Sequence, residues 1–376
     1  MTHTQQQFLA LLRSGLWGTP PDAELFKGNV DWKSILRIAI DQTVQIIVAD
    51  GIETLPKELW PPKETILKLM MIRVKTEQMH KLLNSTLNQI TEALNERNIP
   101  SVILKGQGVA QNYPRPTSRM CGDIDLYVGE VNYDQACNII ANLDTRQRAG
   151  TECDHHMHLQ VNGVEVEVHR YADFMPGKRM NRSIQDWTTE SIGKQSVWNE
   201  LPIWNNEDTR ITLAPRTFDA FFILHHAVRH MITGGVGFRQ ICDWTMFLHK
   251  HHAQIDTIML HEKLELFHMR SVWQEFGLLA TNILGLPAEE LPLAPSSMNS
   301  RKTEKILRHI FISGNFGHAD GNRTDNRKGT YIKRKWRSFR FQSLRLIKLL
   351  GLFPKFILSF CIGWLSEASI RLIRLK

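Results

Sequence analysis

Apolar residues recur three or four positions apart through the first hundred residues, a spacing that predicts helices. The first predicted helix runs from Gln6 to Leu16, and a second continues from Trp32 to Asp50, with Asp31 as its N-cap. A third, long helix is expected over about 63–98, where the pair Ile99-Pro100 ends it. We therefore predict an N-terminal helical region over residues 1–100.

The pattern changes between residues 101 and 172, where short apolar runs suggest strands. Val102-Ile103-Leu104 ends at Lys105-Gly106, and a helix-compatible segment follows, before a loop rich in proline. Asp123 and Asp125 then stand two apart in a further apolar run, so in a strand both carboxylates project from one face. Two like charges this close favour a bound cation, and oxygen ligands of this kind suit Mg²⁺.

A β-hairpin is predicted after this strand. Asn162-Gly163 separates two alternating runs, and this pair is a strong signal for a two-residue turn. The turn fixes the register, so that Val161 faces Val164 and the pairs continue outward. The apolar face then holds Met157, Leu159, Val161, Val164, Val166 and Val168. The other face is entirely polar: His156, His158, Gln160, Glu165, Glu167 and His169.

Three interpretations of the polar face stay open from the residues alone. A solvated surface explains it without any site. The three histidines 156, 158 and 169 offer a transition-metal site, because imidazole is a good ligand for zinc. In the third interpretation, a carboxylate of this face joins Asp123 and Asp125 at a metal site.

The region from Lys105 to Val128 resembles an uncharacterised bacterial nucleotidyltransferase family of the polymerase-beta-like superfamily. The residues that carry the resemblance are Lys105-Gly106, Tyr113-Pro114, Arg119 and Gly122-Asp123-Ile124-Asp125-Leu126-Tyr127-Val128. The pattern His226-Ala-x-x-His230 and the later Arg239-x-x-x-Asp243 also resemble that family. Gln107 departs from the superfamily pattern, in which Gly or Ser follows the first glycine.

The resemblance implies an α+β fold, with a small mixed β-sheet nucleotidyltransferase core flanked by helical regions. It implies transfer of a nucleoside monophosphate from an NTP to an unidentified acceptor, with release of pyrophosphate. Asp123, Asp125 and Glu167 are the implied catalytic metal ligands, with Glu165 as the alternative third ligand. They would hold two Mg²⁺ ions, or Mn²⁺ instead, about 3.5–4 Å apart.

Other residues are expected to bind the phosphates of the nucleotide or the substrate. Lys105, Gly106, Gln107 and Arg119 are expected to bind the nucleotide, with backbone N–H groups of the helix after Gly106 facing its phosphates. Histidines 158, 169, 226 and 230 are candidate substrate contacts, and His158 alternatively hydrogen-bonds Glu167. A zinc site at His226 and His230 is disfavoured, because the glutamate of a metalloprotease helix is absent between them.

The charge is concentrated at the C-terminal end. Residues 327–376 carry thirteen lysines and arginines against one acid, a net +12, so the preceding 326 residues carry −4 of the overall +8. We therefore expect a core over 101–172, a mainly helical domain over 173–325 and a basic amphipathic tail over 326–376. A helix over 333–350 would place Arg345 and Lys348 on its polar side, opposite Leu346 and Leu349.

Four partners for the tail stay open: an anionic membrane surface met by 333–365, the body of the protein, another protein that this chain would regulate, or nucleic acid, for which no motif is present. The five cysteines are scattered and no secretory signal is visible, so we predict a cytoplasmic protein, with the inner membrane face as an alternative location. The competing functional hypothesis is a non-catalytic nucleotide-binding, assembly or regulatory protein that keeps the fold.

Overall fold

The structure is a computed structural model. It describes residues 1–144, 151–152, 156–175, 177–194, 201–206, 209–297, 301–315 and 343–363. The chain divides into two compact units. One unit comprises Met71–Asp219, and the other comprises Met1–Met70 together with Ala220–Lys376. The fold is α+β, mostly helical, with a small mixed sheet, as the sequence predicts.

Helices make up most of the chain. The α-helices are α1 (His3–Trp17), α2 (Trp32–Asp41), α3 (Gln45–Glu53), α4 (Lys63–Asn95), α5 (Gln107–Ala110), α6 (Gly129–Ala141), α7 (Lys178–Thr188), α8 (Arg216–Thr233), α9 (Phe238–His251), α10 (Thr257–Leu266), α11 (Arg270–Asn282) and α12 (Arg301–Ser313). Two further helical stretches cover 343–350 and 354–363.

The unit Met71–Asp219 contains all of the described strands. They are β1 (Val102–Ile103), β2 (Asp123–Tyr127), β3 (Thr151–Glu152), β4 (His156–Val161), β5 (Val164–His169), β6 (Ile203–Asn206) and β7 (Thr209–Thr212). The first five form one sheet in the order β1-β2-β5-β4-β3, and β6 and β7 form a separate hairpin. In the larger sheet only β2 and β5 run parallel.

The predicted hairpin is confirmed in every pair, from Val161↔Val164 out to His156↔His169. Asn162 and Gly163 have φ values of 55° and 80°, the left-handed conformations that a tight turn of this kind requires. The turn therefore sets which side chains share each face of β4 and β5.

The apolar face of the sheet lies against two helices of the same unit. Leu83, Leu87 and Ile90 of α4 and Tyr133 and Ile140 of α6 are buried against it. The strand residues in this core are Ile124, Leu126, Leu159, Val161, Val164, Val166 and Val168. This packing leaves the opposite, polar face of the sheet for chemistry.

The other unit begins with α1 and α3, which approach closely. A Cβ at Gly15 would lie 1.8 Å from the Ile47 carbonyl oxygen, so only glycine fits there. Asp31 caps α2 by accepting from the Ser34 N–H at 3.0 Å, which confirms the predicted cap. The predicted continuous helix from Trp32 to Asp50 is wrong, since Thr43 adopts φ 57° and separates α2 from α3.

The basic tail is described only for 343–363, so most of the predicted helix over 333–350 lies outside the described residues. In the described part, Arg345 is buried, whereas Leu344 and Ile347 are 51% and 67% exposed. The predicted polar side is therefore wrong at Arg345, because its helix turns a different face toward the protein. In the part of the chain that the structure describes, every helix is too short or too polar to cross a membrane.

Candidate functional site

Two carboxylates meet on the polar face of the sheet. Asp125 of β2 pairs directly with Glu167 of the parallel strand β5, and Asp123 pairs with Glu165. Asp125 is only 2% exposed, whereas Asp123 and Glu167 are half-buried. Even spacing along parallel strands puts both pairs on one face, two residues apart. The strand arrangement thus brings the predicted ligands side by side from two separate segments.

His169 joins the two central carboxylates. Its Nε2 lies 3.3 Å from Asp125 Oδ1 and 3.4 Å from Glu167 Oε2. One ligand atom from each of Asp125, Glu167 and His169 lies within 4.8 Å of the others, a spacing that suits a metal ion. The sequence predicts His169 as a substrate contact or as one of three histidines at a transition-metal site, and the structure places it between two predicted metal ligands.

Lys105 occupies the same cluster. The residue follows β1, whose pairing with β2 brings it to Asp125, and its Nζ lies 2.8 Å from Asp125 Oδ1. The Leu104 N–H also donates to the Asp125 carbonyl oxygen at 3.1 Å. The lysine predicted to contact phosphate therefore neutralises a metal-ligand candidate in this structure.

The protonation of the cluster follows from these contacts. Burial alone would raise the pKa of Asp125, but the Lys105 ammonium and His169 together hold it well below its usual range. Burial likewise opposes ionisation of Glu167, yet the hydrogen bond from His169 leaves the Glu167 pKa lowered. For His169, burial lowers the pKa and the two carboxylates more than offset it, so the pKa is raised. Both carboxylates are thus ionised and ready to bind a cation.

A second group of side chains lies beside the first on β4 and β5. His156 Nε2 is 2.8 Å from His158 Nε2, and 3.8 Å from Glu167 Oε2. His158 Nδ1 is 2.8 Å from Glu165 Oε1 but 3.7 Å from Glu167 Oε1. The predicted hydrogen bond from His158 to Glu167 is therefore wrong. His158 instead contacts Glu165, which lies diagonally across the paired strands and reaches it with a long side chain.

Burial is the main reason why the pKa of His156 falls to about 4, with Glu167 acting against that shift. His156 is therefore a neutral imidazole near pH 7. The sequence pattern placed His156 on the polar face and offered it a role only as one of three histidines of a transition-metal site. The alternation His156-Met157-His158 indicates that His156 lies beside His158, because it puts the two imidazoles two residues apart on one strand face.

The corner predicted to hold phosphates is built around Gly106. Gly106 has φ 57° and ψ −118°, a conformation that L side chains rarely adopt, and an added Cβ would lie 3.2 Å from the Asp123 carbonyl oxygen. The predicted helix after it is a single turn, α5, because the chain turns again at Gln111 before the proline-rich loop. Few backbone N–H groups are therefore aligned there.

Gln107 lies inside the protein, 2% exposed. Its side-chain amide nitrogen donates to Asn84 Oδ1 of α4, a partner that no sequence pattern indicates. Its Oε1 is buried and has no hydrogen-bond partner within the described residues. A buried orphan acceptor is costly, so this position favours a donor from a ligand or from water.

Arg119 is also buried, and its guanidinium donates to Cys121 Sγ at 2.7 Å. The carbonyl of Arg119 accepts from His80 Nε2 at 2.8 Å. These contacts hold the loop that precedes Asp123. The role of Arg119 in binding phosphate stays a prediction.

His226 and His230 belong to the other unit, on the part of α8 that begins at Ala220. Their Nε2 atoms lie 2.7 Å apart, as expected for residues four apart on a helix face. Their role as substrate contacts stays a prediction.

The sequence profile of a family described as uncharacterised nucleotidyltransferase matches residues 28–285, more than half of the chain. No curated protein and no solved structure matches the chain. The matched range contains β1, β2 and β5, together with the cluster of Lys105, Asp125, Glu167 and His169. The chain therefore belongs to the uncharacterised nucleotidyltransferase family.

Proposed function

We propose that the chain transfers a nucleoside monophosphate from an NTP to an acceptor, in a reaction that depends on Mg²⁺ or Mn²⁺ and releases pyrophosphate. The observation that carries the proposal is the pairing of Asp125 with Glu167 across parallel strands, with His169 between them. Three such ligand atoms within 4.8 Å are the group that a divalent ion needs on a sheet face.

The donor set fits a divalent metal. Two ionised carboxylates supply hard oxygen ligands, and Asp123 adds a third carboxylate on the same strand face. Mn²⁺ accepts the same carboxylate and water ligands as Mg²⁺. Mg²⁺ bound there would offset the charge of the triphosphate and lower the pKa of the acceptor group.

The residues of the chain have separate tasks in this scheme. Asp123, Asp125 and Glu167 would hold the cation, and His169 orients the last two. With Asp125 neutralised in that way, Lys105 would be available to contact a phosphate of the NTP. The acceptor oxygen then bonds to the α-phosphorus and gives its proton to water. The bond to the bridging oxygen breaks, and pyrophosphate leaves with the electron pair.

Other features complete the proposal. Gly106 allows the chain to pass close to Asp123, and the orphan Oε1 of Gln107 accepts a hydrogen bond from the nucleotide or a bound water. Arg119 contacts Cys121 in the loop before β2 and adds positive charge near the phosphates. The polymerase-beta-like superfamily, a bacterial source and a cytoplasmic location belong to the same proposal.

The test is nucleotide-dependent and metal-dependent thermal protection, followed by pyrophosphate release. Each of the four NTPs is added with Mg²⁺, Mn²⁺ or EDTA, and the shift in Tm is compared between the parent and Asp125→Asn. We expect protection that needs both metal and one NTP, is lost in Asp125→Asn and persists in Asp134→Asn, an exposed helix position on α6.

The chemical step is tested with the same proteins and a panel of sugar, lipid, peptide, protein and RNA acceptors. Pyrophosphate release with one acceptor class would support transfer and identify the substrate. Protection without any pyrophosphate would favour a non-catalytic nucleotide-binding protein. Failure of both measurements in the parent would reject the proposal.

A further inference from the structure

His156, His158 and Glu167 form a second cluster of metal-ligating side chains on the sheet. One ligand atom from each lies within 4.8 Å of the other two, and all three side chains are half-buried. Glu167 also belongs to the group of Asp125 and His169, whereas the two histidines belong only to this cluster. The cluster therefore has a ligand set of its own, rich in imidazole.

The two imidazoles point their Nε2 atoms at each other. The Nε2–Nε2 distance is 2.8 Å, and the rings meet at 72° with their centroids 4.5 Å apart. Two nitrogens this close share one hydrogen, since the second must offer its lone pair. Zinc–nitrogen bonds of 2.0–2.1 Å in a tetrahedral site separate two ligand nitrogens by about 3.3 Å. A metal ion in place of the shared proton therefore requires the rings to part by only about half an ångström.

Glu165 fixes the orientation of His158. Its Oε1 lies 2.8 Å from His158 Nδ1, which donates to the carboxylate. With the hydrogen on Nδ1, the lone pair of His158 lies on Nε2 and points toward His156. A carboxylate that holds the far nitrogen of a ligating histidine is a common feature around zinc, where it fixes the tautomer and increases ligand basicity.

The strand pairing places the third ligand. Glu167 lies directly opposite His158 across β4 and β5, and it lies diagonally opposite His156, which faces His169. Its Oε2 is 3.8 Å from His156 Nε2. Two imidazoles and one carboxylate leave a fourth position for water, as in catalytic zinc sites.

We propose that His156, His158 and Glu167 bind a transition-metal ion of the zinc class, with Glu165 as the residue that orients His158. The site shares Glu167 with the carboxylate-rich Asp125 group, which suits a harder ion, and differs from it in its two imidazole ligands. It does not depend on the nucleotidyl-transfer proposal, because its ligands and its test stand without nucleotide.

Cobalt(II) is the probe, because four-coordinate Co²⁺ with nitrogen ligands absorbs visible light. Tag-free full-length protein, stripped with EDTA and dialysed, is titrated with CoCl₂ and followed by visible absorption. We expect one tight Co²⁺ per chain and displacement of the absorption by Zn²⁺. His158→Gln should abolish the band, and Glu165→Gln should weaken Co²⁺ binding about 10–100-fold.

Two matched controls locate the ion. His226→Gln alters the other close histidine pair and should retain the band. Asp125→Asn alters the neighbouring group without touching either histidine of this one, and it should also retain the band. Because Glu165 is 47% exposed at its side chain, Glu165→Gln keeps the fold even where His158→Gln does not.

Several results would overturn the proposal. The parent could show no visible band, or the band could survive in a folded His158→Gln variant. Loss of the band in His226→Gln would move the site to α8, and loss in Asp125→Asn would merge it with the carboxylate-rich group. Unchanged affinity in Glu165→Gln would remove the orienting role of Glu165.

Discussion

Two histidine pairs in this protein have nearly the same geometry but different surroundings. His156 and His158 on β4 bring their Nε2 atoms to 2.8 Å, and His226 and His230 on α8 bring theirs to 2.7 Å. The first pair is two residues apart on a strand, and the second is four apart on a helix. Both spacings follow directly from the period of the element.

The difference lies in what stands beside each pair. Both three-residue metal groups found among the described residues lie on the sheet, and neither includes His226 or His230. A strand has a neighbouring strand 4.7–4.9 Å away, whose side chains share its face. Glu165 and Glu167 of β5 reach the strand pair in this way. A pair of imidazoles becomes a metal site through its neighbours, and among the described residues it is the strand pair that belongs to such a three-residue group.

The largest expected effect concerns the carboxylate at the centre of the sheet. Asp125→Asn keeps the shape and removes the charge, and we expect nucleotidyl transfer to fall about a thousandfold because metal binding contributes several kcal/mol to such transition states. The measurement is the rate of pyrophosphate release at saturating NTP, with Asp134→Asn as the control. A loss as large in His226→Gln would contradict the distinction between the two histidine pairs, since the helix pair would then take part in the chemistry.

Removing the lysine that neutralises Asp125 should cost stability. Lys105→Met leaves a buried carboxylate without its 2.8 Å partner, and we expect the free energy of unfolding to fall by about 3 kcal/mol. Mg²⁺ should restore part of that loss, because a cation would take over the role of the ammonium. Urea unfolding with and without Mg²⁺ measures both effects.

Lys81→Met on α4 is the control for that experiment, since Lys81 is exposed in the same unit. Its stability should change little, and its response to Mg²⁺ should match the parent. If Lys105→Met gained no more from Mg²⁺ than the control, the metal would not be replacing the lysine at Asp125.

A smaller loss of stability is expected at Gly106, where backbone conformation and not charge determines the structure beside the sheet. Gly106→Ala forces a side chain into φ 57° and places its Cβ 3.2 Å from the Asp123 carbonyl oxygen, so we expect a loss of about 2 kcal/mol. Gly122→Ala is the matched control, because a Cβ there meets nothing within 4 Å and its φ is not positive. Thermal unfolding of both variants tests this. Equal stability would mean that the chain around Gly106 readily adopts another conformation.

The hairpin was fully predictable from the sequence. Asn162-Gly163 sets the turn, and the turn sets every pair from Val161↔Val164 to His156↔His169. The polar face of β4 and β5 followed from that register alone. The helix predicted over Trp32 to Asp50 failed because the positive φ of Thr43 is not encoded by glycine or asparagine, the usual signals.

The candidate site was predictable in its residues but not in its contacts. The pairing of Asp125 with Glu167 joins strands about forty residues apart, and only the family resemblance connected them. Local spacing also says nothing about rotamers, so the contacts of Lys105 with Asp125 and of His158 with Glu165 were missed. Tertiary packing decides which of several charged neighbours a flexible side chain reaches.

The smallest expected effect is the pH dependence of stability in the metal-free protein. We expect it to depend on His169 of the sheet and not on His226 of α8. His169 has a raised pKa, so its contribution to stability is complete below its ordinary value of 6.5 and is lost as pH rises through the raised value. The lowered pKa values of Asp125 and Glu167 act oppositely, and their contribution to stability is lost only in acid.

With EDTA present, we expect the unfolding free energy of the parent to decline from pH 6.5 upward. His169→Gln should flatten that decline, whereas His226→Gln should preserve it, because the sheet cluster stays intact. An unchanged slope in His169→Gln would mean that the two carboxylates do not hold His169 in its charged form.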